Sequence, residues 1–598
     1  MDNKTIMSGN QAVGRGFYEA GGRVASSYPG SPTVGILQSI KDNYKDIYSE
    51  FSVNEKVALE VGIGASFAGA RVLVSMKHVG MNIAADPLMT FTQTKINGGF
   101  VLTTGDDPGM SSSQNEQDNR ILGKFAHMAV LDPGNSQESL DYTKLAFDLS
   151  EKYIMPTMIR ITSRVCHSRS IVELSDRVEK EVSGFPNKPE DFAMIPPNTL
   201  KKQFTMADRI DKLTVAANDM DINIYEPSPA MRTDVLVVTS GLMYYNYKEL
   251  GLDYSVFKLG MVYPLPIKKL HQLAKKYKRI IVIEEMMPFI ENELKMHGVH
   301  CEGKNFFSIT GELNTEDIEL GLVNAKILKE HTYPIEKPEE TVARLPMFCS
   351  GCPHRPVFDI LKKAKADVIG DIGCYSLAFL DPLNAVNSII SMGASIGIMK
   401  GMSKALKSAE KSKPLACVVG DGTFFHSGMT GMLNMLHQMD ESENMTVLIL
   451  NNGTTAMTGG QATSTTKSYS DAGDVDANIP ELLHSMGFDR IKTVDQFDYK
   501  NAKKVIDEEL KHDGFSIVMT TRPCALNFKI KETPFYVDQN ICIGCRSCVK
   551  TNCPPILMKE YDGHDKLKSS INKDSCVGCS VCAQVCPVGA IKRIEEEA

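Results

Sequence analysis

The stretch from Cys417 to Gln461 constrains this chain more than any other. It opens Cys417-Val418-Val419-Gly420-Asp421-Gly422, and after 28 further residues the run Val447-Leu448-Ile449-Leu450 closes on the amide pair Asn451-Asn452. The pattern predicts an apolar strand, a tight Gly-Asp-Gly turn, a helix, and a second apolar strand ending in amides. A diphosphate with Mg²⁺ requires this arrangement: hard oxygen ligands at two strand ends, and glycines that let backbone N–H groups approach phosphate oxygens. Asp421 would supply a carboxylate, Asn452 an amide oxygen and Thr454 a backbone carbonyl, with Gly420 and Gly422 giving the close approach. Phosphate oxygens complete the Mg²⁺ octahedron, so three protein ligands suffice. A Gly-Asp-Gly alone is an ordinary turn. The amide pair at this distance makes it a ligand site.

A second constraint lies at the C-terminal end. Cys542-x2-Cys545-x2-Cys548-x4-Cys553-Pro554 is followed by Cys576-x2-Cys579-x2-Cys582-x3-Cys586-Pro587. This is the spacing of a bacterial two-cluster ferredoxin, in which the fourth Cys of each run ligates the cluster of the other. One [4Fe–4S] cluster would use Cys542, Cys545, Cys548 and Cys586, and the other Cys576, Cys579, Cys582 and Cys553. The four-residue gap before Cys553 exceeds the usual three, so a bulge is expected there. Zinc is the bland reading, and eight Cys in this order argue against it. The two runs are an internal repeat too small for a substantial core, so metal would hold the tail together.

The diphosphate stretch continues Thr458-Gly459-Gly460-Gln461. Together these residues resemble the thiamine diphosphate motif of the 2-oxoacid:ferredoxin oxidoreductases, and in particular the large (alpha) subunits of the indolepyruvate type. The resemblance runs over nearly the whole chain. It implies a catalytic glutamate at a strand-to-helix junction, with glycines nine and fourteen positions on. Glu55, with Gly64 and Gly69, matches. A helix-dipole role is the structural alternative, and Glu60 is the competitor. Ser31, in Tyr28-Pro29-Gly30-Ser31-Pro32, resembles the substrate-contacting turn of the family, with Ser in place of Thr. His78, in Lys77-His78, is a candidate for substrate contact, or else part of a solvated loop. Cys349-Ser350-Gly351-Cys352-Pro353-His354-Arg355 is compatible with zinc, redox or cluster chemistry. The resemblance places it beside the cofactor, with Cys349, Cys352, Cys374 and Cys524 as a possible proximal [4Fe–4S] set and His354 as a candidate cofactor contact. Four buried small hydrophobes are the alternative. The small-residue stretch from Ser391 to Gly397 would allow close approach to the cofactor.

Along the chain, residues 1–175 alternate strand and helix and would form a pyrimidine-binding-type domain. Residues 176–228 lose apolar periodicity and read as a connector. Residues 229–335 resemble a transketolase C-terminal-like block, 340–530 carry the diphosphate motif, and 534–598 form the ferredoxin tail. The predicted fold class is α/β, with doubly wound sheets binding ligand at strand ends. The segment from Asp106 to Arg120 receives no role, and Glu284-Glu285 an architectural one.

Lys+Arg 65 against Asp+Glu 73 gives a net charge of −8 with no basic stretch suited to nucleic acid. No signal peptide or membrane-length apolar run occurs, so a cytoplasmic location is expected. Fifteen Cys in such a chain argue for metal over disulfides, with Cys166, Cys301 and Cys417 left as ordinary residues.

A thiazolium beside Fe–S clusters implies oxidative decarboxylation of an aryl 2-oxoacid such as indolepyruvate to its acyl-coenzyme A, with CO₂ released and two electrons passed to external ferredoxin. The resemblance further implies a smaller beta subunit in an α₂β₂ assembly. Three readings compete with it. One is another 2-oxoacid of the same family as substrate; the others are a non-oxidative decarboxylase with a structural tail, and an electron-transfer subunit with an inert cofactor domain.

Overall fold

The structure, a computed structural model, describes residues 3–186, 188–196, 198–333, 345–406, 413–438, 440, 443–466 and 477–594. Residues 1–339 and 340–598 fold as two compact units. The domain boundary expected between 335 and 340 lies outside the described residues.

The first unit is built on a seven-stranded sheet in the order Met261–Tyr263, Ala129–Leu131, Thr157–Thr162, Phe100–Asp106, Val72–Lys77, Val24–Ser27, Tyr48–Phe51. Its strands run parallel except Met261–Tyr263, which pairs antiparallel to Ala129–Leu131. The central strands are buried throughout, so they read as unbroken apolar or small-residue runs rather than as alternations. From Val24–Ser27 the chain moves outward to Tyr48–Phe51 and then returns on the other side at Val72–Lys77. That reversal makes a topological switch point, and ligands of such sheets bind beyond the carboxyl ends there. The ends in question lead into the Tyr28–Pro32 turn and His78.

Two parts of this unit differ from the sequence reading. Within the expected connector, Asn198–Ala217 forms a 20-residue helix. It buries Met206, Arg209, Leu213 and Ala217, one face at helical spacing that the Lys, Asp and Thr of the other face mask. The strand Met261–Tyr263 lies in the stretch expected to be an architectural block, yet it completes the first sheet. A four-stranded sheet, Arg279–Ile283, Val235–Ser240, Ser255–Leu259 and Ile224–Glu226, shares a core with the first through Phe100, Val130, Leu236, Phe257 and Val282.

The two ends of the Asp106–Arg120 segment turn inward, while residues 109–112 between them are exposed. Arg120 is fully buried between Asp118 (2.6 Å) and Glu284 (2.9 Å), and Arg160 lies between Asp106 (2.8 Å) and Asp132 (3.4 Å). Glu284 is therefore a buried counter-charge, consistent with an architectural role.

The second unit carries a six-stranded, all-parallel sheet in the order Ser388–Ile389, Asp367–Gly370, Leu415–Gly420, Met445–Leu450, Phe515–Thr520, Ile491–Val494. Its switch point falls between Asp367–Gly370 and Leu415–Gly420. The predicted Gly-Asp-Gly turn is corrected here. Gly420 (φ −78°, ψ 160°) caps a helix that begins at Asp421, so the strand feeds straight into it. This helix widens to π geometry over Phe424–Gly428 before continuing as Met429–Gln438, a distortion common at functional sites.

In the tail, Phe535–Val537 pairs with Ile591–Arg593 and Ile556–Lys559 with Lys568–Ile571, both antiparallel. The extra residue before Cys553 is taken up by a single 3₁₀ turn, Val549–Thr551, and by Asn552 in the left-handed region (φ 60°). Among the described residues no helix is long and apolar enough to cross a membrane.

Candidate active site and cysteine clusters

At the switch point of the first unit, Glu55 is the first residue of the helix Glu55–Phe67. Asn54 caps that helix, its side chain accepting from the Val57 N–H at 2.9 Å. The helix dipole favours a carboxylate at this position, and Glu55 is buried. Gly80 makes the room: a Cβ there would lie 2.6 Å from Glu55 Cγ and 2.7 Å from Oε1. Glu60 is exposed and paired with Lys56. Ser31 sits half-buried in its turn, and a Cβ on neighbouring Gly30 would meet Lys77 Cβ at 2.8 Å.

The readings of His78 need correcting. It is fully buried, not part of a solvated loop, and its Nδ1 and Nε2 each lie 3.2 Å from a backbone carbonyl, of Gly105 and Asn115. Both nitrogens face backbone carbonyls, and a neutral ring can donate to one of them only. Lys77 Nζ likewise donates to the Ser112 carbonyl at 2.6 Å, and burial lowers its pKa. The pair clamps the loop between Gly105 and Asn115.

In the second unit, the parallel register pairs Gly420 with Leu450 and so brings Asp421 and Asn452 to the same sheet end. Asp421 is buried. Its Oδ2 accepts from Thr465 (2.6 Å) and Thr463 (3.2 Å), and burial raises its pKa. Among the described residues no Lys, Arg or His forms an ion pair with it. A buried carboxylate with only neutral donors is a site that a cation would complete, so the donor set fits Mg²⁺. Asn452 Oδ1 accepts from the Thr454 N–H at 3.2 Å, and its Nδ2 lies 3.3 Å from His354 Nε2.

His354 opens the helix His354–Ala364, and burial lowers its pKa to about 4, so the ring is neutral. The Asn452 contact assigns the acceptor to Nε2 and the proton to Nδ1. Nδ1 is buried and has no hydrogen-bond partner among the described residues.

Two residues not singled out from sequence complete this end of the sheet. The Tyr375 hydroxyl accepts from the Gly420 N–H at 3.1 Å, and a Cβ on Gly420 would strike the Tyr375 ring at 2.8 Å. Asp371 accepts from both the N–H and the hydroxyl of Ser395 at 2.8 Å, and burial raises it to about 6. Their signal was the position of Asp371-Ile372-Gly373-Cys374-Tyr375 just after a buried strand.

The cysteines gather into three groups. Burial raises Cys374, and Cys524 and Cys349 raise it further; Cys352, raised to about 12 by burial, is also raised by Cys374 and Cys349. The Cys524 N–H donates to the Asn452 carbonyl at 3.0 Å, tying this group to the diphosphate-type end of the sheet. In the tail, Cys542, Cys545, Cys548 and Cys586 line one cavity of about 20 Å³. Cys582 is raised by burial and then by Cys579, Cys553 and Cys576, with Cys548 last. The fourth Cys of each run thus stands with the other run's first three. Among the described residues no three His, Cys, Asp or Glu converge on a single-ion site.

Residues 371–520 match the model of the thiamine pyrophosphate enzyme C-terminal TPP-binding domain. Residues 15–221 match the pyruvate flavodoxin/ferredoxin oxidoreductase thiamine-diphosphate-binding domain, and 570–592 a 4Fe-4S binding domain. An indolepyruvate oxidoreductase subunit IorA from Archaeoglobus fulgidus is 34% identical over 98% of this chain and 97% of the relative. One from Pyrococcus abyssi is 35% identical over 99% and 97%. A solved 2-oxoglutarate:ferredoxin oxidoreductase from Magnetococcus marinus covers 55% of this chain and 66% of its own at 16% identity, with a TM-score of 0.47.

The sheets and the matched domains define a thiamine diphosphate-dependent 2-oxoacid:ferredoxin oxidoreductase with a 4Fe-4S ferredoxin domain at its C-terminal end. Within that class, the chain belongs to the indolepyruvate oxidoreductase subunit IorA family.

Proposed function

We propose that the chain oxidatively decarboxylates an aryl 2-oxoacid, indolepyruvate or a related arylpyruvate, to the acyl-coenzyme A and passes two electrons to ferredoxin. It would do so with a smaller beta subunit in an α₂β₂ complex. One observation carries the reading. Within a single unit, Asp421 and Asn452 share a sheet end that His354 and the Cys524 backbone tie to four cysteines, and the Gly351 loop among these packs onto the tail cysteines.

In this reading residues 1–175 and 340–530 are the pyrimidine- and pyrophosphate-type domains. Residues 229–335 are the transketolase C-terminal-like block, reached through 176–228, and 534–598 are the two-cluster tail. Thiamine diphosphate, when bound, supplies an electron sink for the bonding pair released as CO₂ departs. Asp421, Asn452 and the Thr454 carbonyl hold Mg²⁺, and Gly420 and Gly422 keep side chains away from the phosphates. Glu55 Oε holds the proton exchanged with the pyrimidine ring, and the small side of Gly80 sets where that carboxyl lies. His354 Nδ1–H, a buried donor without an acceptor, offers one hydrogen bond to the bound cofactor. Ser31 faces substrate at the first switch point. Twelve cysteines hold three [4Fe–4S] clusters: Cys349, Cys352, Cys374 and Cys524 nearest the diphosphate site, then the two crossed sets of the tail.

The test is anaerobic co-expression with the beta subunit, followed by indolepyruvate-dependent reduction of methyl viologen with and without coenzyme A. Dye reduction that requires both supports the reading. CO₂ release without dye reduction would establish non-oxidative decarboxylation instead. Iron analysis decides the cluster number: about twelve irons per chain for three clusters, about eight for the tail alone.

A further inference from the structure

Arg355 is a buried cation with no anion. Its Nη1 donates to the Thr551 carbonyl at 3.2 Å, and its Nη2 to the carbonyls of Phe348 (2.9 Å) and Cys349. Nε is buried with no acceptor among the described residues. The guanidinium lies 5.7 Å from the Phe348 ring centroid, and the side chain is 3% exposed. No carboxylate among the described residues forms an ion pair with it. Three backbone carbonyls and the Phe348 ring solvate the guanidinium, but no formal negative charge among the described residues neutralises it.

The surroundings indicate what would. Phe348 and Cys349 belong to the loop bearing Cys349 and Cys352, whereas Thr551 belongs to the loop bearing Cys553. The two loops touch: Gly351 (φ 64°) could not carry a Cβ, which would lie 2.0 Å from Val577 Cγ2 in the Cys576–Cys579 turn. The Gly351 N–H also faces the Cys553 sulfur. Arg355 donates to the carbonyl of Cys349 itself in one loop and to the carbonyl of Thr551, two residues before Cys553, in the other. One guanidinium thus faces two cysteine groups at once.

We propose that Arg355 is a shared redox-positioning residue, its charge stabilising the reduced states of both the cluster at Cys349/Cys352/Cys374/Cys524 and the cluster at Cys553/Cys576/Cys579/Cys582. The inference rests on the cluster assignments proposed above. Four thiolates and their cluster carry net negative charge, which supplies the missing counter-ion. When one electron moves from the first cluster to the second, the first is oxidised by one unit, the second is reduced by one, and no proton moves. The summed charge facing Arg355 stays constant. The residue can therefore raise both potentials together without having to move during the transfer.

The experiment is a potentiometric EPR titration of the anaerobically purified complex as wild type, Arg355→Gln and Arg355→Lys, with iron counted in each. Signals are assigned with Cys553→Ser and Cys586→Ser variants. In Arg355→Gln, the reduction equilibria of both flanking clusters should shift about tenfold toward the oxidised form, about 59 mV for one electron. The Cys542/Cys545/Cys548/Cys586 cluster stays put as the internal control, and Arg355→Lys keeps wild-type values. Iron loss in Arg355→Gln that Arg355→Lys prevents also supports a role for the charge. The proposal is overturned if no potential moves, if all three move equally, or if Lys behaves as Gln does. About eight irons in the wild type would remove the cofactor-side cluster from the reading; the shift of the tail cluster would then decide the role of Arg355.

Discussion

A methyl group at Gly80 separates the placing of Glu55 from the stability of the fold. A Cβ there would lie 2.6 Å from Glu55 Cγ and 2.7 Å from Oε1, where ordinary contact begins at 3.4 Å. The carboxyl group must therefore retreat by about 0.7 Å, most of the ~1 Å misplacement of a catalytic group that can cost about 10²-fold. The three nearest atoms all belong to the Glu55 side chain, which can swing at about 0.5–1.5 kcal/mol of rotamer strain. Gly80 opens the short helix Gly80–Ile83, where alanine returns at most about 0.5–1 kcal/mol, so the two effects largely offset each other. Gly80→Ala should then unfold within a few degrees of wild type while losing about 10²-fold in kcat, equivalent to about 2.7 kcal/mol of barrier. Gly64→Ala, in the same helix as Glu55 with nothing within 4 Å of its Cβ, is the control and should keep full activity. The assay is indolepyruvate- and coenzyme A-dependent viologen reduction by the complex, beside thermal unfolding. Full activity in Gly80→Ala, or a loss matched by equal destabilisation, would refute the placement of Glu55.

Three further outcomes follow from named contacts. Gly351→Ala combines a left-handed φ with a Cβ 2.0 Å from Val577 Cγ2. It should destabilise the second unit by about 2–4 kcal/mol. Adding Val577→Ala should recover the steric part in a denaturant titration, and strict additivity would sink the contact. Asp371 has a folded pKa of about 6, above its unfolded value of about 3.9. The folded state therefore binds the extra proton, and the associated stability, present at low pH, is lost as pH rises through 6. Without thiamine diphosphate, wild type should lose about 3 kcal/mol relative to Asp371→Asn between about pH 4 and pH 7; parallel profiles would contradict this. Finally, Cys586→Ser should remove the same EPR signal as Cys542→Ser, and Cys553→Ser the same signal as Cys576→Ser. Pairing within each run instead would disprove the crossed ligation.

What the sequence shows and what it hides divide along a physical line. Candidate ligand sets are legible where the chain spells them locally. The two four-cysteine runs, the Asp421–Asn452 interval and the Asn54-Glu55 helix start each lie within a few tens of residues, and the structure brings each set together. Groups whose state depends on distant chain are not legible. The burial of His78 is hidden because the carbonyls its ring faces lie 27 and 37 residues away. The helix Asn198–Ala217 was lost because its buried face is sparse, and Gly420 reads as a turn because a strand running directly into a helix needs the same residues. Arg120 and Arg160 look like loop and strand cations, and only their partners, Glu284 at 164 residues' separation among them, make them core. Arg355 extends the same reasoning to function. The cysteine runs spell out candidate metal ligands, whereas the proposed tuning of potential would depend on a charge whose partners are neighbours only in the fold. A reading of this chain from motifs alone therefore reaches its chemistry before its energetics. The residues that tune the reaction are to be sought among buried charges that no motif contains.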